Sequence, residues 1–106
     1  MVWGPREVDL RSLEFHNAVA LKLKENTRLL TIAIENMDRW ERLGYSVQSK
    51  PLREKWKKLI NGPLEALIER MVEDSEEMQE LRSASPFAGI LSDEERMEVI
   101  RKTSRN

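Results

Sequence analysis

The apolar residues of this 106-residue chain recur with the period of an α-helix almost from end to end. Nowhere do they alternate with polar residues long enough to argue for a strand. The first helical segment, about 9–25, carries two apolar stripes at about 100° per residue. Leu10, Leu13, Ala20 and Leu21 form one, and Phe15, Val19 and Leu23, spaced four apart, form the other. A helix that is apolar on two sides is either central in its bundle or shows one side to a partner. Asp9 or Ser12 is the candidate cap at its start.

The same reading divides the rest of the chain. Asn26 or Thr27 can cap a second helix, about 27–43, whose wide apolar arc includes Leu29, Leu30, Ile32, Ala33, Ile34, Met37, Trp40 and Leu43. Gly44 follows where a left-handed terminal residue belongs, and "GYSVQSKP" reads as a connecting loop. A third helix, about 51–60, takes Ser49 as its candidate cap and Pro51 in its first turn, where proline lacks no needed donor. Its face is Leu52, Trp56, Leu59 and Ile60. "NGP" separates it from a fourth, about 63–73, with Leu64, Leu67, Ile68, Met71 and Val72 in one stripe. Asp74 or Ser75 opens a short fifth helix to about 82. "SDEE" at 92–95 matches a capping box for a last helix at 93–102.

The expected fold is therefore all-α, a compact bundle of five or six short helices. Residues 1–8 read as a flexible N-terminus, 9–102 as a single helical domain and 103–106 as a frayed end. The predicted core draws on Leu13, Ala20, Leu30, Ile34, Met37, Trp40, Trp56, Leu59, Leu64, Leu67, Ile68, Met71, Leu81 and Phe87.

One stretch breaks the helical pattern, "RSASPFAGILSDEER" at 82–96. Pro86 ends ordinary helix and biases Ser85 toward extended backbone, and Gly89 permits an otherwise strained turn. Phe87, Ile90 and Leu91 supply apolar surface with no regular face. The segment reads as a loop that folds back to plug the bundle, with a docking element flanked by Arg82 and Arg96 as the rival reading.

Composition narrows the chemistry. There is no cysteine, which removes disulfides and thiolate metal sites and fits a reducing cytoplasm. The one histidine, His16, has no partner suggested by spacing, and the glycines are too scattered for a phosphate loop. The acidic runs "EDSEE" (73–77) and "DEE" (93–95) lack the ligand spacing of a calcium loop and are accounted for by helix N-termini. No metal or cofactor is expected. No apolar run is long enough for a membrane span, and the first ten residues do not read as a secretory signal.

Charge is unevenly placed although the net value is only −1. Residues 44–62 hold five bases against one acid, and 63–82 hold seven acids against two bases. Lys50, Arg53, Lys55, Lys57 and Lys58 could contact phosphates, with Trp56 stacking on a base. The alternative is a solvated basic face pairing with the acidic fourth helix.

The order "LEFHNAVALKLKEN", "RW", "LREKWKKLINGPLEALIERM" and "LRSASPFAGILSDEER" resembles small all-α bacterial proteins associated with two-gene toxin–antitoxin modules. The resemblance spans about residues 10–97. Its most specific part is Leu81, Arg82, Ser85, Pro86, Phe87, Ala88, Gly89 and Leu91. It implies a non-enzymatic partner protein that neutralises a toxin, and it carries no catalytic residues with it. The leading expectation is thus a cytoplasmic antitoxin-like protein, not an enzyme, that occludes its partner. The expected contact surface is Phe15, Val19 and Leu23 together with Arg82, Ser85, Pro86, Phe87 and Arg96. A nucleic-acid or regulatory role for the basic segment 50–58 is the alternative, and a small enzyme using Glu95 and Arg96 is the weakest reading. A homo-oligomer is compatible with all three.

Overall fold

A computed structural model describes the backbone of residues 5–44 and 49–104, and the side chains of that range from residue 10 onward. The described residues form six α-helices and one 3-10 turn, with no strand among them. They are α1 (Pro5–Glu25), the 3-10 turn (Thr27–Leu29), α2 (Leu30–Leu43), α3 (Lys50–Asn61), α4 (Leu64–Met71), α5 (Glu76–Arg82) and α6 (Asp93–Thr103). The all-α bundle expected from the apolar period is the fold. Residues 45–48 of the expected loop, residues 1–4 of the expected N-terminal segment and the last two residues lie outside the described range.

Helix ends follow local chemistry. The Asn26 side chain accepts from the Arg28 N–H, Ser75 from the Met78 N–H and Ser92 from the Glu95 N–H. Glu95 closes the capping box by accepting from the Ser92 N–H. Gly44 ends α2 at φ +68°, in the left-handed region that a side chain disfavours. α1 differs from expectation at its start. It begins at Pro5, so Asp9 and Ser12 lie inside the helix and not at its cap. Proline at a first helical position lacks only an N–H that the helix does not use.

α1 is the central helix. It packs against α4, α5 and α6, while α3 packs against α2, α4 and α5. α6 runs antiparallel to α1, because Arg11 bonds Thr103 near one end and Lys22 pairs with Glu95 near the other. This position explains the two-sided apolar pattern of α1. Val19 and Leu23 are fully buried, and Ala20 nearly so. The core joins them to Ala33, Met37, Trp56, Ile60, Leu67, Met71, Met78, Leu81, Phe87, Ile90, Leu91 and Val99. Leu30, Trp40, Leu59, Leu64 and Ile68 pack against it while half-buried. Ile34, expected inside, is 41% exposed. The inward stripe of α2 runs through Ala33, Asn36 and Met37, and Ile34 is about 100° round the helix from Ala33.

The segment after α5 is the plug. Pro86, Phe87, Ile90 and Leu91 enter the core, and Gly89 turns at φ +93° with Ile32 close beside it. Burying non-helical backbone requires donors for its carbonyls. Asn36 Nδ2 donates to Pro86 O at 2.8 Å and to Ala88 O at 2.9 Å. Trp56 Nε1 donates to Leu81 O at 2.7 Å. Arg82, also buried, donates through Nη1 to Met71 O and Glu73 O, capping the C-terminal end of α4 with a cation.

Two substitutions separate the apolar from the polar part of this plug. Phe87→Ala should lower the unfolding free energy by about 3–5 kcal/mol through lost burial and a cavity. Asn36→Ala should lower it by about 2–4 kcal/mol, because two carbonyls lose their donor. Asn36→Asp should be worse than Asn36→Ala at neutral pH, since a carboxylate oxygen would face those carbonyls. Urea unfolding followed by circular dichroism measures all three.

Candidate functional site

The structure scatters the residues expected to form a contact surface. Val19, Leu23, Pro86 and Phe87 are sealed in the core, and Arg82 is only 3% exposed. The Phe15/Val19/Leu23 stripe is therefore packing for a central helix and not a face awaiting a partner. Phe15 is half-buried against the core and Ser85 is half-buried in the loop. Arg96 alone of that set stands in solvent, beside Asp93 at 3.7 Å.

The basic segment does not assemble into one phosphate-binding face. Arg53 is buried and donates to Ser49 Oγ. Lys57 pairs with Glu41 of α2, and so not with the acidic fourth helix that its charge suggested. Lys50, Lys55 and Lys58 are exposed. Trp56 has no exposed surface on which a base could stack. The acidic runs are likewise engaged: Glu73 bonds Arg70 and Ser75, Glu77 bonds Arg70, and Glu95 bonds Lys22. Glu95 is held down to about 2, first by the Lys22 hydrogen bond and then by the Ser92 N–H. Among the described residues no three carboxylate or histidine side chains converge as metal ligands.

What the fold does bring together is His16 and Ser85, 69 residues apart. His16 sits on α1 between the two apolar stripes and is 1% exposed. Its Nδ1 lies 2.7 Å from the carbonyl of Ser12, one helical turn earlier, and its Nε2 lies 2.9 Å from Ser85 Oγ. A carbonyl only accepts, so Nδ1 carries the proton and Nε2 accepts from the serine hydroxyl. The imidazole stacks parallel to Trp56 and meets Phe15 and Phe87 edge-on. Ser85 Oγ also accepts from the Phe87 N–H at 3.3 Å.

A serine hydroxyl on a histidine oriented by a third group is the outline of a nucleophile–base pair. Its electrostatics point the other way. Burial first of all, against the rise from the Ser12 carbonyl and with help from the charge of Arg82, brings His16 down to about 4. A general base works best with a pKa near the operating pH, and here the imidazolium is disfavoured by its surroundings. The pair serves as a latch that fixes the start of the plug to the central helix. Nothing in the chain's pattern signals this partnership beyond the position of His16 between the stripes, since spacing does not reach across 69 residues.

Two surface features remain. A groove between α1 and α6 is lined by Ala18, Leu21, Val99 and the charged Glu14, Lys22, Glu98 and Lys102. A shallower one on α2 is lined by Glu35, Asp38, Glu41 and Arg42. Of the larger apolar side chains, Leu10, Leu21, Ile34, Leu43, Met97 and Ile100 are exposed.

The His16 latch makes stability depend on pH. Above about 6.5 the ring is neutral folded and unfolded, and stability is on its plateau. Below that the unfolded chain takes up a proton that the folded chain refuses, so stability falls as pH drops toward about 4. The expected loss from this group is about 3 kcal/mol. His16→Gln should be less stable at pH 7.5 but should lose much of this decline between pH 7 and pH 5, as denaturant titrations at several pH values would reveal.

Comparison with known proteins finds no matching family model, no matching curated protein and no matching solved structure.

Proposed function

We propose that the protein is a non-enzymatic interaction module, an antitoxin-like chain that binds a protein partner and occludes it. The observation that carries this reading is the outer face of α6. There Met97 is 55% exposed and Ile100 40% exposed, next to the exposed side chain of Arg96. Covering an exposed Met or Ile contributes up to about 1.5–3 kcal/mol each. A few such anchors with an adjacent Arg dominate the energy of many interfaces. Arg96 falls within the span of the resemblance to toxin–antitoxin proteins, about residues 10–97.

The face is well supported from behind. α6 is fastened by its capping box, by Lys22–Glu95 and by the Arg11–Thr103 hydrogen bond, with Val99 buried beneath it. A helix held this way presents its outer side chains at little ordering cost. The engagement of His16 and Ser85 in the plug supports the non-enzymatic part of the reading. No helix among the described residues is long and apolar enough to cross a membrane, and a chain without cysteine suits the cytoplasm.

Co-expression with the product of the neighbouring gene tests the proposal. The expected result is rescue of growth from that product and co-purification of a complex of defined mass. Met97→Glu with Arg96→Glu should abolish both while leaving the circular dichroism spectrum unchanged, because both side chains are exposed. A neighbouring product that is harmless and does not bind, or a double variant that still rescues, would remove the reading.

A further inference from the structure

The methionines of the described residues fall into two groups. Met37, Met71 and Met78 are sealed in the core, while Met97 stands out from α6 with 55% of its surface in solvent. An oxidant reaches a thioether only where solvent reaches the sulfur, and the sulfoxide it forms is polar and chiral where the thioether was apolar. The chain has no cysteine, so no thiolate competes for that oxidant. Trp56 is sealed and Trp40 is half-buried against the core. The fold therefore leaves one thioether accessible among the described residues and shields the rest.

We propose that Met97 is a reversible oxidation site, and that a peroxide, by converting it to the sulfoxide, switches off the outer face of α6. The switch rests on the reading of that face as the partner-binding surface; the oxidation site does not. In the forward step the Met97 sulfur attacks one oxygen of hydrogen peroxide with a lone pair and the O–O bond breaks. The proton on the transferred oxygen goes to the departing hydroxide, which leaves as water. Sulfur is oxidised by two electrons and the peroxide is reduced by two. In the return step two thiols become a disulfide and the sulfoxide oxygen leaves as water. The helix is built to survive the change. Its anchors are the Ser92–Glu95 box, the Lys22–Glu95 pair and buried Val99, and none of them uses the Met97 side chain. Val99 lies about 200° round the helix from Met97, so the oxygen is added on the side away from the core. The same oxygen on Met71 or Met78 would disrupt the core. On Met97 it alters only the surface, where a covering apolar side chain would now leave the sulfoxide oxygen without a donor.

Dilute hydrogen peroxide on the full chain, quenched with catalase and followed by peptide mass measurement, tests the site. Oxygen should appear on Met97 at least about tenfold faster than on Met37, Met71 or Met78, and unfolding the chain in guanidinium should make the four rates converge. The circular dichroism spectrum of the Met97-oxidised chain should be unchanged. Its affinity for the product of the neighbouring gene should fall by about ten- to a hundredfold. Treatment with methionine sulfoxide reductases and dithiothreitol should restore it. Met97→Leu should bind that product and no longer respond to peroxide. Equal oxidation rates in the folded chain would overturn the site. Selective oxidation of Met97 with undiminished affinity, or a Met97→Leu chain that still loses affinity on oxidation, would overturn the switch and leave the interaction reading standing. An untreated chain that does not bind overturns that reading and the switch with it, while selective oxidation would still establish the site.

Discussion

Everything in this fold depends on feeding hydrogen-bond donors to a stretch of non-helical backbone that enters the core. A helix satisfies its own carbonyls, so a helical bundle normally needs no polar side chains inside it. The segment between α5 and α6 cannot do this, because Pro86 and Gly89 break the ladder where Phe87, Ile90 and Leu91 must be buried. Polar side chains on four different helices fasten the segment and its flanks, Asn36 by donating to its carbonyls and His16 by accepting from its serine. Asn36 on α2 takes the carbonyls of Pro86 and Ala88, and Trp56 on α3 takes that of Leu81. His16 on α1 holds Ser85, and Arg82 at the end of α5 reaches back to α4. The plug thereby ties the layers to one another, and its apolar side chains supply the reason for burying it.

The same requirement decides what His16 is. In isolation, a histidine on a serine hydroxyl suggests chemistry. Enclosed by Trp56, Phe15 and Phe87, with a buried cation nearby, it is held neutral well below its ordinary range. Such a ring is good at accepting a hydrogen bond from a fixed partner and poor at gaining a proton. The exposed apolar side chains stand on helix faces the core does not use. On α1 this is the Leu10–Leu21 side, and on α6 it is the Met97–Ile100 side. The charged surface follows a similar logic. Lys57 pairs across to Glu41, Lys22 to Glu95 and Arg70 to Glu73 and Glu77. Each pair is partly exposed, so each contributes modestly to stability and mainly fixes the approach of neighbouring elements.

Sequence alone determined the helical elements and several of their ends, though not the start of α1. The 3.6-residue period gave the helices, and short-range chemistry gave the stops: Asn26, Gly44, Ser75, the Ser92–Glu95 box. These are legible because every partner lies within four residues. It also identified Pro86 and Gly89 as the break and a plug as one use of it. Tertiary structure decided which faces are inside. α1 has two apolar sides, and only the arrangement of α4, α5 and α6 around it turned Val19 and Leu23 into core, set Phe15 half-buried against it and left Leu21 in solvent. Ile34 and Met37 look equivalent in the sequence, yet only one of them points inward. The pairing of His16 with Ser85, and of Asn36 with the plug, joins residues 69 and about 50 positions apart. Periodicity carries no information at that range, because such contacts are set by where helices cross and not by the spacing within any one of them.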